Sequence, residues 1–276
     1  MTAQPAEIRL IATDLDGTLL RRDKTISPRT AEAIRLAHAA GLQVVAATGR
    51  YPTTLAALLT PVDIDYAVAS NGAQGYRLTT GELLFEETLP ADSARAIIEF
   101  LSGELDGVRF EAVADHGAVH YVQPGYRDLV TEYERRMFPL EYREADIDTM
   151  LDQEAIVKLA VRHPCATPEE MLDLLTTAGL RSYHATTSGA PFLEISGPGV
   201  TKATGVAHLA GHLGFEPHQV LAIGDARNDV ELLEWSGIGV AMGNAVPEAL
   251  AAADHTTASN DEDGFARAVE GLLLHR

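Results

Sequence analysis

Apolar runs recur along the chain, each closing on small, polar or acidic residues, with amphipathic stretches between them. Ile8-Arg9-Leu10-Ile11-Ala12 reads as a buried strand. Ser27-Pro28 follows as an N-cap and first helical position, and that helix is expected to end at Gly41. Leu42 to Ala47 is a second strand ending in Thr48-Gly49-Arg50. A helix from about Thr53 to Leu59 leads to a third strand, Tyr66 to Ala69, which ends in Ser70-Asn71-Gly72-Ala73. Strands alternating with helices predict a mostly parallel sheet with right-handed crossovers. Ligands of such sheets sit beyond the carboxyl ends of the strands, so Asp14, Thr48 and Asn71 are expected at one edge.

The texture changes near Gly81. A helix (about Asp92 to Leu101) precedes two strand-like pieces, Val108 to Ala114 and Ala118 to Gln123, joined by a hairpin-like turn at Asp115-His116-Gly117. The charged, aromatic stretch Gly125 to Met150 is expected to be helical in part, with no placement for its elements. Ile156 to Arg162 reads as a strand, and Thr167-Pro168-Glu169-Glu170 as a capping box with proline at the first helical position. Two more strands, Arg181 to Thr186 and Phe192 to Ile195, complete an α+β unit. After Gly197-Pro198-Gly199 the earlier alternation returns: a helix from about Thr201, a strand Val220 to Ile223 ending in Gly224-Asp225-Ala226-Arg227-Asn228-Asp229, a strand Ile238 to Ala241, and a final helix near Gly264 to Leu273. The expected fold is therefore α/β, a Rossmann-like doubly wound parallel-sheet core built from residues 1–81 and 193–276, with residues 82–192 inserted as an α+β domain.

Two strand ends carry paired acids. Asp14 and Asp16, followed by Gly17, fit an Asp-Gly hairpin turn or an aspartate nucleophile with a second acid beside it, and the stretch alone leaves both open. Asp225 and Asp229 fit a solvated turn into a helix, with Asn228 or Asp229 as cap, or a second pair of carboxylates on the same edge. Like charges that converge call for a counter-ion, and ligands that are all oxygen select a hard cation such as Mg²⁺. Thr48-Gly49 at a helix start can hold phosphate oxygens. Lys202 at the amino end of a helix opposes the dipole, which hints at a task other than solvation.

The bulk numbers restrict the partners. With 276 residues, 46% hydrophobic and 22% charged, the chain is long enough for two domains with real cores. A net charge of −19 argues against nucleic acid and anionic membrane surfaces. It would also repel a small phosphorylated ligand unless a metal and local cations reverse the field. No apolar run is long enough to span a membrane, and the first ten residues lack a signal-peptide pattern, so the expected compartment is the cytoplasm. The single cysteine, Cys165, excludes an internal disulfide and fits a reducing compartment. His208 and His212 have the i, i+4 spacing of zinc pairs, but residue 209 is Leu rather than the glutamate of that motif, which argues against zinc.

In order and placement, Asp14-Leu15-Asp16-Gly17-Thr18, Thr48-Gly49-Arg50, Lys202 and Gly224-Asp225-Ala226-Arg227-Asn228-Asp229 resemble the motifs of the haloacid dehalogenase-like phosphohydrolases. The chain is similar to their Cof-type branch, which carries a large α/β (type IIB) cap. Weaker echoes are Asn71-Gly72-Ala73, Ala241-Met242-Gly243-Asn244-Ala245 and Ser259 to Gly264. Departures are Ala203, where many relatives have glycine, and Ala226-Arg227, where small or polar residues are frequent.

The resemblance implies a Mg²⁺-dependent phosphatase of small phosphorylated metabolites, sugar phosphates first among them, working through an aspartyl-phosphate. Asp14 would be the nucleophile and Asp16 the acid and base. The metal would be held by Asp14, the Asp16 carbonyl, Asp225 and Asp229. Leu15, Thr48, Gly49, Lys202 and Asn228 would bind the transferring phosphoryl group. The inserted domain would choose the substrate, with Arg109, His116, His120, Tyr121, Arg162 and His184 as undistinguished candidates. The expected state is a monomer or small homo-oligomer. The alternatives are a phosphomutase of the same architecture and a catalytically weak phospho-ligand-binding regulator.

Overall fold

Four consecutive residues with no exposed surface, Leu10–Thr13, form the strand around which the larger sheet is assembled. In the computed structural model, which describes residues 8–137 and 139–274, this strand pairs in parallel with Val220–Gly224 on one side and Gln43–Ala47 on the other. The extreme ends of the expected core segments, residues 1–7 and 275–276, and with them most of the stretch read for a signal peptide, lie outside the described residues.

Among the described residues, eight strands form this sheet, in the order His255–Thr256, Ile238–Ala241, Val220–Gly224, Leu10–Thr13, Gln43–Ala47, Tyr66–Ala69, Gln74–Arg77 and Glu82–Glu86. The first six are mutually parallel, and Gln74–Arg77 runs antiparallel to Tyr66–Ala69. Because side chains alternate across a strand, each run feeds two cores. Ile11, Val44, Ala46, Ala67, Leu221 and Ile223 pack against helices Pro28–Ala39 and Gly264–Leu274. Leu10, Ala12, Val45, Val68, Val220 and Ala222 pack against Lys202–Leu213 and Val230–Trp235. Burial on both faces explains why these strands read as unbroken apolar runs.

Several local expectations hold. Ser27 caps the Pro28–Ala39 helix, its side chain accepting the Thr30 N–H, and the Thr167–Glu170 capping box starts the helix Pro168–Thr177. The third strand, however, does not simply stop at Ser70. A turn with left-handed Ser70, Asn71 and Gly72 returns the chain as the antiparallel Gln74–Arg77. Gly72 is required there, since a Cβ would fall 1.9 Å from the Thr201 carbonyl oxygen.

By internal contacts the chain forms two units. One comprises residues 1–50, 55–85 and 201–276; the other comprises 51–54 and 86–200. In the second unit a mixed six-stranded sheet runs in the order His184–Thr186, Leu193–Ser196, Lys158–Arg162, Arg109–Ala114, Val119–Val122, Tyr142–Glu144. The predicted hairpin at Asp115–Gly117 joins Arg109–Ala114 to Val119–Val122. The charged, aromatic stretch resolves into short pieces: a turn at Tyr126–Leu129, helix Glu132–Met137, strand Tyr142–Glu144 and helix Ile147–Leu151. One face of this sheet (Phe110, Ala112, Leu159, Val161, Leu193, Ile195) is apolar and covered by helices Ala91–Glu104 and Pro168–Thr177. The alternate residues Glu111, Lys158, Arg162 and Glu194 put buried charge on the opposite face.

Candidate active site

Four strand ends and one helix start converge at the carboxyl edge of the parallel sheet. The Asp14 N–H continues the ladder by donating to the Ile223 carbonyl at 2.9 Å, which sets Asp14 level with the Gly224–Asp229 loop. Asp14 is buried, and its carboxylate accepts from Lys202 Nζ at 2.6 Å. The same ammonium lies 2.6 Å from Asp229 Oδ1. Lys202 is the first residue of its helix, capped by Thr201, and only 1% of it is exposed. The sequence-level hint from the helix dipole is thus resolved: the lysine turns inward to neutralise two acids.

Asp229 is fully buried and anchors the loop as well. Its Oδ2 accepts the N–H groups of Asp225 and Ala226, both at 2.9 Å. It is therefore the turn-stabilising residue of the structural reading and a member of the acid cluster at once. Asp225 faces the first loop, where Thr18 Oγ1 donates to its Oδ1 at 2.7 Å. Gly17, at φ +90°, lets that loop close over the carboxylate, because a Cβ there would lie 2.3 Å from Asp225 Oδ2.

Electrostatics follow from this packing. Burial, and then the charges of Asp229, Asp225 and Asp16, raise the Asp14 carboxyl well above its ordinary range, while Lys202 works in the opposite direction. Burial and Asp229 push Asp225 up to about 7. Burial disfavours the charged Lys202, but Asp14 and Asp229 outweigh it and hold the ammonium above its usual value. One lysine does not balance three carboxylates. Oxygen atoms of Asp14, Asp225 and Asp229 lie within 4.8 Å of one another, and the excess negative charge and all-oxygen donor set fit a divalent hard cation.

Asp16 is placed differently. Its carboxylate is only partly buried and is clasped by Arg50 (Nε to Oδ2 2.5 Å, Nη2 to Oδ1 2.7 Å) and by Lys24 Nζ at 2.7 Å. Burial raises its carboxyl, but these two cations prevail and keep it below the ordinary range. Sequence reading picked out Thr48-Gly49 and passed over the partner roles of Arg50, Lys24 and Thr18, whose contacts with acids at positions 16 and 225 span loops that no local pattern reports.

Thr48 is buried at its strand end, and its Oγ1 accepts the Arg50 N–H at 3.1 Å. Asn71 donates its own N–H to the Thr48 carbonyl, and its Oδ1 accepts from Asn228 Nδ2 at 2.9 Å. Asn228 is buried beside the cluster, while the Leu15 side chain faces the core, so any phosphate contact from Leu15 falls to its backbone. Gly49 sits between Thr48 and Arg50 at the same edge.

In the second unit, the six candidates separate by environment. Arg162 is buried and paired with Glu134 and Tyr126. His120 is buried, 2.6 Å from Glu111, whose other oxygen accepts from Tyr126 at 2.5 Å. Arg109 bonds the Val108 and Pro124 carbonyls, His116 contacts Glu86, Tyr121 packs against the apolar face, and His184 lies half-buried at a sheet edge. His208 stacks on Phe85 at 4.2 Å, and the metal-compatible cluster found among the described residues is the aspartate one, not the histidine pair. Cys165 is exposed.

The raised Asp225 gives a testable consequence for cation binding. Metal requires the carboxylate, whereas the metal-free fold favours the acid, so each bound ion must displace a proton below about pH 7. The affinity for a divalent cation is expected to climb with pH from the ordinary carboxylate range through about 7, and to keep climbing for as long as the raised Asp14 carboxyl still holds a proton. Calorimetric titrations at several pH values, in buffers of different ionisation enthalpy, would show the released proton. A flat profile would contradict the assignment.

Comparison with known proteins agrees with the geometry. The profile of the haloacid dehalogenase-like hydrolase family matches residues 11–269. The chain is 33% identical to the phosphoglycolate phosphatase of Natronomonas pharaonis, over 94% of this chain and 96% of that one. It is 28% identical to the 5-amino-6-(5-phospho-D-ribitylamino)uracil phosphatase YcsE of Bacillus subtilis, over 98% of each. Among solved structures, the subclass IIB sugar phosphatase BT4131 superposes with a TM-score of 0.81 at 25% identity, covering 96% of this chain and 99% of its own. With the acids and threonine at the strand ends, the lysine at a helix start and a mixed sheet inserted between the core segments, the chain belongs to the haloacid dehalogenase-like hydrolases, as a phosphatase of the Cof-type, subclass IIB branch.

Proposed function

We propose that the protein hydrolyses phosphomonoesters of small hydroxylated metabolites, sugar or polyol phosphates in particular, with Mg²⁺ as the resident cation. The observation that carries this reading is Asp14: a buried carboxylate held by Lys202, with Asp225 and Asp229 beside it at the carboxyl edge of a parallel sheet. The relatives named above are a phosphoglycolate phosphatase, a 5-amino-6-(5-phospho-D-ribitylamino)uracil phosphatase and a sugar phosphatase, which supports a small phosphorylated metabolite as substrate.

Asp14 attacks phosphorus in line as the ester P–O bond breaks, leaving the phosphoryl group on its carboxylate. Asp16 supplies the proton to the departing alkoxide. In the second half, Asp16 takes a proton from water as the water oxygen attacks phosphorus, and the P–O bond to Asp14 breaks to release inorganic phosphate. As clasped by Arg50 and Lys24, Asp16 is the ionised carboxylate that this second half needs. To give a proton it must first loosen from those cations and take up a proton from solvent, so the incoming ester must compete for them.

Lys202, the Thr48 hydroxyl, the Gly49 and Leu15 backbone and Asn228 are assigned to the phosphoryl oxygens, where fixed positive charge and donors favour the transition state. Asp14, Asp225, Asp229 and the Asp16 carbonyl would hold the cation, which neutralises phosphoryl charge when bound. The inserted unit, residues 82–192 in the sequence-based division, is assigned substrate choice, and the protein is assigned to the cytoplasm as a monomer or small homo-oligomer.

A panel of hexose phosphates, polyol phosphates, phosphoglycolate, nucleotides, pyridoxal phosphate and flavin mononucleotide, each with and without Mg²⁺, tests the proposal. The expected result is phosphate release that depends on Mg²⁺ and is fastest on sugar or polyol phosphates. Isomerised ester formed only with a bisphosphate activator would point to a mutase. No turnover of any ester would point to a binding role.

A further inference from the structure

Asn244 has no role in the chemistry described above, yet it touches both loops that carry the acids. It follows the strand Ile238–Ala241, on a turn where the Val246 N–H donates to the Asp225 carbonyl at 2.8 Å and the Met242 N–H to the Gly224 carbonyl at 3.0 Å. Its Nδ2 donates to the Gly17 carbonyl at 2.9 Å and to Asp225 Oδ2 at 3.2 Å. Its Oδ1 accepts the Asn260 N–H at 2.9 Å, and Asn260 Nδ2 in turn donates to the Leu20 carbonyl at 2.8 Å.

The partners fix the amide without ambiguity. The Gly17 carbonyl can only accept and the Asn260 N–H can only donate, so the NH₂ must face position 17, and with it Asp225, while the oxygen faces Asn260. Asp225 is thereby held at both oxygens, Oδ1 by Thr18 and Oδ2 by Asn244. No other common side chain of this length supplies the same contacts. An aspartate would set oxygen against the Gly17 carbonyl and the Asp225 carboxylate, and a glutamine would be one methylene too long.

We propose that Asn244 is a positioning residue for the divalent cation: it fixes the plane of the Asp225 carboxylate and locks the residue 16–18 loop against it, so that the carboxylates are in place before the ion arrives. This rests on the reading of the Asp14, Asp225 and Asp229 cluster as the cation site. Groups that orient a metal ligand typically change affinity by about 10–100-fold when removed. Asn244 itself is exposed, so water can replace its lost contacts and the fold has little need of it.

The test is Mn²⁺ binding to the full chain, read by electron paramagnetic resonance of free Mn²⁺, for the wild type, Asn244→Ala and Asn244→Ser. The expected result is a dissociation constant raised about tenfold in both variants. The half-activating Mg²⁺ concentration should rise in step, with KM for the phosphoester at saturating Mg²⁺ and the unfolding midpoint of the metal-free protein unmoved. Equal Mn²⁺ affinity in wild type and variants overturns the proposal while leaving the cation site intact. A lowered metal-free midpoint that accounts for the affinity loss also overturns it, by showing a structural role. If the wild type binds no Mn²⁺, the cation-site reading falls, and this inference falls with it.

Discussion

Asp14→Asn is expected to fold and to lose Mg²⁺-dependent turnover of an aryl phosphate by at least about a thousandfold, the scale seen when a group with no substitute in the chemical step is removed. The amide keeps the size of the carboxylate but is far too weak a nucleophile to form the acyl phosphate. An aryl ester is the right probe because its leaving group needs little protonation, which separates attack by Asp14 from proton delivery by Asp16. The fold should survive, since burial and three neighbouring acids already disfavour a charge at this position. Lys202 would still keep Asp229 as partner. Substantial turnover in Asp14→Asn would remove this residue from the role of nucleophile.

Lys202→Met is expected to damage stability and catalysis together, and the two effects can be told apart with metal. The ammonium bridges Asp14 and Asp229, all three groups being buried, so a methionine leaves two carboxylates without their cation in the interior. Removing one partner of a buried pair typically costs about 3–5 kcal/mol. Urea unfolding in a chelator should show a loss of this size at neutral pH. Added Mg²⁺ should recover part of it, because a divalent cation can take over neutralising the acids. Activity should remain low even with saturating Mg²⁺, by about a hundredfold or more, if Lys202 also serves the phosphoryl oxygens as proposed. A variant as stable as wild type in chelator would mean that the acids protonate or rearrange at little cost.

The clasp on Asp16 gives the site a feature that strand patterns alone did not suggest. A general acid must carry its proton at working pH, yet Arg50 and Lys24 keep this carboxyl ionised. In the proposed mechanism the two half-reactions therefore ask for different surroundings of one side chain. Competition by the ester for the guanidinium is the simplest way for the same residue to serve both.

Much of the architecture was legible from residues alone. Apolar runs such as Ile8 to Ala12 and Val220 to Ile223 read as buried strands, and the helices between them point to parallel pairing. Ser27-Pro28 and the Thr167 box marked helix starts because caps are local hydrogen bonds. Asp14, Thr48, Lys202, Asp225 and Asp229 were legible for a related reason: each stands at the end of an element whose direction the pattern defines. The hairpin Gln74–Arg77 with Glu82–Glu86 and the short elements between residues 125 and 151 were not, being too brief or too mixed in polarity to show a period.

What the chain's order of residues determined, then, is which acids, hydroxyls and cations reach the carboxyl edge of the sheet, because strand direction is a local property that propagates through parallel pairing. What only the tertiary structure decided is how they are shared there: Lys202 between Asp14 and Asp229, Arg50 and Lys24 on Asp16, Thr18 and Asn244 on the two oxygens of Asp225. Those pairings join positions distant in sequence, and they are set by side-chain reach and burial once the strands have been brought side by side.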